Sequence, residues 1–224
     1  MWCVPRLDAE YVARMEDVLK LYSAPLKRGE PVVCLDERPV QLLDDKRPRT
    51  PVRPGRIAQV DYEYERMGTA NVFAIVAPKL GIHLTHATSD RSASSYVKAL
   101  QLIARRFPRA KRIHLVQDNL STHSKNCCVQ TIGLRAGRRL WGRFKVHYTP
   151  KHGSWLNMAE TEISLWGKEC LGARRIPSLE KLKSETSAWN QRATDLRRTI
   201  AWNFNVKAAR EKFNIPVVNP KPKD

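Results

Sequence analysis

No two of the five cysteines, at positions 3, 34, 127, 128 and 170, form a Cys-x-x-Cys pair. A zinc site or a disulfide framework is therefore not expected, and Cys34 and Cys170, set in apolar patterns, read as small core residues. No apolar run approaches the roughly 20 residues that a membrane span needs. The opening Met1-Trp2-Cys3-Val4-Pro5 lacks the basic start and apolar core of a signal peptide. Internal repeats and low-complexity domains are also missing. A soluble, intracellular protein with no membrane partner is the expectation. Negative charge is in short supply relative to positive: 22 Asp+Glu face 40 Lys+Arg, a net charge of +18 and a pI near 10.1. The excess is spread over the whole chain, which favours a polyanion over a small acidic substrate. A carboxylate-pair glycosidase would fit the acids described below but not this charge.

What is present suffices for a sizeable core, since 42% of the 224 residues are hydrophobic. Asp8 to Tyr22 has apolar residues at helical spacing, with Asp8 as N-cap. Ser23 to Glu30 reads as a basic loop. Pro31 to Leu35 is a continuous apolar run, typical of a strand buried on both faces, and it leads into Asp36. Asp44 to Arg56 is a Pro/Arg/Lys-rich insert, either a solvated loop or a contact to a nucleic-acid backbone. Val60 to Arg66 alternates like an edge hairpin arm. Asn71–Ala77 and Ile82–Thr88 are strands joined through Pro78-Lys79-Leu80-Gly81. Ser92 to Phe107 is an amphipathic helix, Ile113–Gln117 the next strand, and Ser124 to Leu140 a helical segment broken by Gly133 and Gly137. Phe144–Tyr148 is the last strand, followed by helices over 154–171, 178–200 and 206–213. This order predicts an α/β fold, a mixed five-stranded sheet with helices on its faces. It also predicts a core over 1–172 and a helical C-terminal extension over 173–224.

Two strand-like runs end in acids, Asp36-Glu37 and Asp118-Asn119. A third acid, Glu160, sits on the first turns of the helix that follows the Pro150–Gly153 turn. Carboxylates from two strand ends and one helix start would form a hard-oxygen pocket suited to Mg²⁺ or Mn²⁺. Each acid also has a plain explanation: a strand-end acid at Asp36, a cap for the next helix at Asp118, and a complement to the helix dipole at Glu160. Periodicity does not choose between Glu160 and Glu162, which flank an expected buried stripe of Ala159, Ile163, Trp166 and Cys170. Glu160 is favoured because it lies nearer the helix start and completes Leu156-Asn157-x-x-Glu160. Glu162 is then expected to face solvent or flank DNA.

Leu35-Asp36-Glu37, Asp118-Asn119-x-x-x-His123 and Tyr148-Thr149-Pro150-x-x-x-Ser154-x-Leu156-Asn157-x-x-Glu160 together resemble the DDE transposases of bacterial insertion sequences, in their mariner-like branch. The resemblance runs from about residue 2 to 214. It implies a ribonuclease-H-like fold shared with retroviral integrases, with Asp36, Asp118 and Glu160 as catalytic residues holding two Mg²⁺ ions, Mn²⁺ serving as substitute. It further implies cleavage of double-stranded DNA at transposon ends and transfer of a 3′-hydroxyl to target DNA, by a homodimer at the bacterial nucleoid in the cytoplasm. Glu37, Asn119, His123, Lys151, Ser154, Trp155 and Asn157 match supporting or DNA-contacting positions. The sequence departs from the family at Met158-Ala159, where Pro-Ile is usual, at Trp155, where Asp is common, and in the 41 residues between Asp118 and Glu160, several more than usual. Only about 35 residues precede Asp36, so the chain reads as the catalytic part without a helix-turn-helix unit. A structure-specific nuclease on the same fold, or a non-catalytic DNA-binding remnant, are the alternatives.

Overall fold

The computed structural model describes residues 7–59 and 61–216. Five strands, β1 (Val32–Asp45), β2 (Tyr64–Ala77), β3 (Ile82–Thr88), β4 (Ile113–Gln117) and β5 (Phe144–Tyr148), form one mixed sheet in the order β3-β2-β1-β4-β5. The first three make an antiparallel meander, whereas β1, β4 and β5 run parallel. Odd and even positions of β1 serve opposite faces, as the strand period requires. Val33 and Leu35 pack under α2 (Ala93–Arg106) with Tyr96, Leu100 and Ile103. Val32 and Cys34 pack under α1 (Ala9–Ser23) with Met15, Val18 and Tyr22. Burial on both faces explains why the run from Pro31 to Leu35 is apolar without alternation.

Local capping follows the sequence. The Asp8 side chain accepts from the Tyr11 amide at 2.7 Å and starts α1. Ser92 heads α2, and Ser124 heads α3 (Lys125–Ile132). The segment expected to be one interrupted helix is two: Gly133, at φ +85°, separates α3 from α4 (Leu134–Trp141). Gly137 does not break α4. It lies inside the helix with its Cα side against the Val129 backbone, where a Cβ would come within 2.6 Å of Cα.

Three other expectations change. β1 does not stop at Asp36 but runs to Asp45, with Pro39 inside it. Its parallel pairing to β4 ends at Cys34–Val116, so beyond that rung β1 has one neighbour, and Pro39 sits where a ladder bond to β4 is no longer needed. The basic insert is the solvated loop that the sequence suggests, with residues 46–59 all exposed, and it closes as a hairpin tip, the Thr50 amide donating to Gln59 O at 3.1 Å and the Arg53 amide to Arg56 O at 3.1 Å. Of the arm expected over 60–66, Val60 lies outside the described residues and β2 begins at Tyr64. Finally, 154–171 is not one helix. A 3₁₀ turn at Ser154–Leu156 precedes α5 (Ala159–Trp166), and a π turn (Gly167–Leu171) follows. The helix α6 (Leu179–Leu196) packs on β3, where Asn190 brackets Thr85 with three hydrogen bonds of 2.8–2.9 Å. The last helix, α7 (Val206–Lys212), rests near α1 through Ala209. Among the described residues no helix is long and apolar enough to cross a membrane.

Candidate active site

The split between β1 and β4 creates the site. Cys34 and Val116 share the last parallel rung. Asp36 and Asp118 each lie two residues beyond it, on neighbouring chains that run about 4.8 Å apart. Two residues restore the side-chain direction, so Asp36 keeps the Cys34 face, the one covered by α1 and the turn before α5. From that side comes Asn157, whose Nδ2 donates to Leu35 O at 2.9 Å and to Asp36 Oδ2 at 3.2 Å. Its Oδ1 accepts from the Ala159 amide at 3.2 Å and so also caps α5. The Tyr22 hydroxyl donates to Leu156 O at 2.8 Å and holds the same turn to α1. Glu160 then projects from the first turn of α5, exposed and within electrostatic reach of Asp36.

The charges here are not balanced. Burial pushes the Asp36 carboxyl up to about 7, and the negative charges of Glu160, Glu37 and Asp118 add to this, against the Glu37 amide donating to Oδ1 at 2.8 Å. Burial also raises Glu37, with Asp118 adding to it while His123 opposes. His123 is the one buried base between them: Nδ1 lies 2.5 Å from Asp118 Oδ1, and Nε2 lies 3.5 Å from Glu37 Oε2. Burial alone would lower its pKa, but the two carboxylates overcome that and raise it. The 2.5 Å approach is not aligned as a hydrogen bond. His123 Nδ1, Asp118 Oδ1 and Glu37 Oε2 are all buried without a hydrogen-bond partner among the described residues.

The sequence-predicted residues divide into three groups. Asp36, Glu37, Asp118, His123, Asn157 and Glu160 come together as described. Asn119, Lys151 and Ser154 line an adjoining cleft of about 580 Å³, shared with Asp118, Tyr11 and Arg14. Trp155 is not brought to the acids: it packs edge-on against Phe204 at 5.6 Å and donates to the Tyr11 hydroxyl at 3.4 Å. Asp118 does not cap the next helix, because Ser124 does.

Glu162 corrects the expectation of a solvent-facing acid. It is fully buried, and Oε2 meets His83 Nδ1 at 2.7 Å, while His83 Nε2 meets Arg198 O at 2.6 Å. The buried stripe of α5 and the π turn is Ala159, Glu162, Trp166 and Cys170, with Ile163 only half-buried. An apolar-only reading of the period cannot select a carboxylate for that stripe. Sequence reasoning also missed the frame of His123. Tyr96 stacks on its ring at 4.4 Å and donates to Gln117 Oε1 at 2.8 Å, and the Tyr148 hydroxyl donates to His123 O at 2.9 Å. A tyrosine on the buried face of α2 gives no local sign of such a role.

Among the described residues, no three His, Cys, Asp or Glu side chains are drawn together closely enough to hold a metal ion. The donor chemistry nonetheless fits a hard divalent cation: oxygen ligands, uncompensated negative charge, and orphaned buried oxygen at Asp118 and Glu37.

Comparison with known proteins agrees with this geometry. The sequence profile of DDE superfamily endonucleases matches residues 31–183, which contain all the acids described here. No curated protein sequence matches the chain. Among solved structures, the Mos1 mariner paired-end complex with Mn is similar at 18% identity and a TM-score of 0.54, over 86% of this chain and 58% of that one. The Mos1 transposase paired-end complex with the left transposon end (16%, 0.53, 85% and 57%) and the Mos1 strand transfer complex (17%, 0.53, 85% and 57%) are similar to the same degree. The chain thus spans under three-fifths of the length of these Mos1 chains. At these identities the likeness is one of fold, the ribonuclease-H-like sheet with its helices. With the profile covering more than half of its length and the acids gathered where the parallel pairing ends, this chain belongs to the DDE superfamily endonucleases.

Proposed function

We propose that this chain is the catalytic domain of a DNA transposase, cutting strands at transposon ends and joining a 3′-hydroxyl to target DNA. The observation that carries it is the acid constellation: Asp36 and Asp118 two residues past a shared rung, with Glu160 facing them from α5, in a chain of net charge +18. In this reading Asp36, Asp118 and Glu160 hold two Mg²⁺ ions, for which Mn²⁺ substitutes. The Mos1 structures named for Mn and Mg support that choice. The chemistry supplied when the cations are bound is Lewis acidity at the attacking and leaving oxygens of in-line displacement at phosphorus. The chain's own residues do the rest. Asn157 fixes the Asp36 carboxylate and the start of α5 together, and His123 orients Asp118 and Glu37. Lys151, on the cleft beside Asp118, offers a cation to the strand being cut.

The paired-end complexes of Mos1 support an active form that brings two ends together, a homodimer. The motif resemblance supports an origin in a bacterial insertion sequence, with action at the nucleoid in the cytoplasm, and residues 1–172 as the catalytic core with 173–224 as its extension. The test is a strand-cleavage and strand-transfer assay of the full chain with Mn²⁺ and short duplex ends. Nicked and joined products that vanish in Asp36→Asn are expected. Cleavage without joining would favour the nuclease alternative. The proposal fails if Asp36→Asn cuts at the wild-type rate.

A further inference from the structure

The opposite end of the sheet carries a second charged surface. β1 and β4 run parallel, so the loops that enter them lie together, about 20 Å from the acids at roughly 3.3 Å per residue over the six steps from Arg112 to Asp118. Two of these loops and the end of α2 form a cleft of about 1150 Å³, lined by Lys27 and Arg28 from the α1–β1 loop, by Arg106 at the end of α2, and by Arg109 and Lys111 from the α2–β4 loop. No carboxylate lines it. The loops are held to each other by backbone, with the Lys111 amide donating to Gly29 O at 2.8 Å. Gly29 is at φ +80°, a conformation that lets the α1–β1 turn close on this contact. The cations are therefore carried on a fixed frame.

Several loop cations elsewhere are held by acids, and others such as Arg53 and Arg56 at the hairpin tip are not; what distinguishes the unpaired cations here is that they gather in one cleft. In the hairpin, Lys46, Arg47 and Arg49 lie 3.2, 3.2 and 2.6 Å from Glu63, Asp61 and Asp45. Near α6, Arg174 and Arg198 lie 2.9 and 2.6 Å from Glu185 and Glu169. At the cleft, Lys27 reaches Glu30 only at 4.0 Å. Among the described residues, Arg28, Arg106, Arg109 and Lys111 have no carboxylate within 4.0 Å. Unpaired cations in a concave surface raise the local potential and concentrate anions there.

The form of the cleft selects the kind of anion. All five cations are exposed. A site for a small anion would need buried, pre-oriented donors, whereas exposed cations on long stems suit a polyelectrolyte whose phosphates repeat. Phe107, the one aromatic lining it, is half-buried and packed against the core, so no platform exists on which unpaired bases could stack. We infer that this cleft binds the phosphate backbone of a second duplex segment, separate from the strand held at the acids. The identification of the polyanion as DNA rests on the transposase reading above. Contact through phosphates alone carries no sequence preference.

Binding of a short duplex to the full chain tests this, using Arg28→Glu/Arg109→Glu/Lys111→Glu against a charge-matched control, Lys181→Glu/Lys183→Glu/Arg192→Glu on exposed positions of α6. The cleft variant is expected to bind at least tenfold more weakly than the control. Its log–log salt slope should be shallower than wild type by about 2.7, from about 0.9 for each of three lost contacts. Equal weakening in both variants overturns the inference, as does displacement of duplex by low-millimolar inorganic phosphate, which would mark a small-anion site. A second readout does not need the triple variant. In a Cys3→Ser background, Arg109→Cys should cross-link to a duplex bearing a thiol tether on a backbone phosphate. Excess duplex should compete, an equal length of single strand should compete less, and absence of the cross-link counts against the cleft. Mn²⁺-dependent cleavage of a duplex end separates the two readings. A cleft variant that still cleaves but binds duplex like wild type sinks the cleft alone. An Arg109→Cys chain that cross-links, while neither it nor the wild type ever cleaves, sinks the catalytic reading alone.

Discussion

Glu160 and Glu162 stand two residues apart on α5 and have opposite surroundings. Glu162 is fully buried with Oε2 against His83, whose other nitrogen meets a backbone carbonyl, so its charge has a partner, although Oε1 has none among the described residues, and its helix is pinned to β3. Glu160 is exposed and faces Asp36 and its neighbouring acids, a cluster of four carboxylates in which the one buried imidazole, His123, meets only Asp118 and Glu37. At about 100° per residue the two positions are roughly 200° apart, so one helix serves both purposes only by presenting opposite sides. If the proposed function holds, depth does not mark the functional acid. The compensated buried pair reads as structure, and the uncompensated, half-buried group reads as a place made for a cation.

The strongest way to break this contrast is to neutralise an acid of the uncompensated group. Asp36→Asn and Asp118→Asn should each lower Mg²⁺-dependent cleavage on the order of 10³-fold or more, the scale at which single members of a catalytic group act. DNA binding should be unchanged or tighter in both. Metal-free thermal stability should be unchanged or higher in Asp36→Asn, because a desolvated charge among like charges has been removed, whereas Asp118→Asn also takes from His123 its nearest carboxylate. A fall in stability in Asp36→Asn would show that this acid is structural after all.

The compensated pair should behave in the reverse manner. His83→Ala leaves Glu162 buried without its partner and should cost about 3 kcal/mol in urea unfolding. A loss below about 0.5 kcal/mol, the level of ordinary surface changes, would mean that the pair does not pin α5.

Asn157 lies on the boundary between the two groups, and its removal sharpens the comparison. Asn157→Ala should reduce cleavage by about 10–100-fold, as expected of a group that orients a metal-binding carboxylate. The loss should appear in kcat with little change in duplex affinity, and an effect confined to affinity would contradict the orienting role.

The smallest effect expected is a pH dependence of the pair. For Glu162 burial is the largest influence and raises its pKa; for His83 burial acts downward but the Glu162 carboxylate outweighs it and the pKa is raised. Groups whose folded pKa is raised contribute stability that is full below their unfolded values and is lost as pH rises through the folded ones. Between pH 5 and 8, therefore, the stability advantage of wild type over Glu162→Gln should shrink, by about 1 kcal/mol for each unit of raised pKa. Thermal unfolding at fixed ionic strength measures it, and an advantage that grows with pH would reverse the sign.

Much of the fold was legible because it is written over short distances. Asp8, Ser92, Ser124 and Ser178 each cap a helix by accepting from an amide three residues on, and the apolar run from Pro31 to Leu35 announces a strand buried on both faces. The acids of the site were legible too, as a motif of strand ends and a helix start. Two local patterns misled. The run ending at Asp36 reads as a finished strand, yet the β2 partner continues and carries β1 on to Asp45. Ser154 to Leu171 has a helical composition, yet Asn157 spends its side chain on Leu35 and Asp36 and sets the true helix start at Ala159.

The sequence by itself determined the elements, the surplus of positive charge and the identity of the acids that could share a site, because propensity, capping and side-chain period act within a few residues. Only the tertiary structure decided that β1 and β4 are neighbours, that their pairing ends two residues before the acids, and that His83 reaches Glu162 across 79 residues. It also decided that the loops holding Arg28 and Lys111 meet at one end of the sheet. Each of these depends on which distant segments exclude water from one another. Desolvation and charge pairing, which separate Glu162 from Glu160, come into being only when those segments meet.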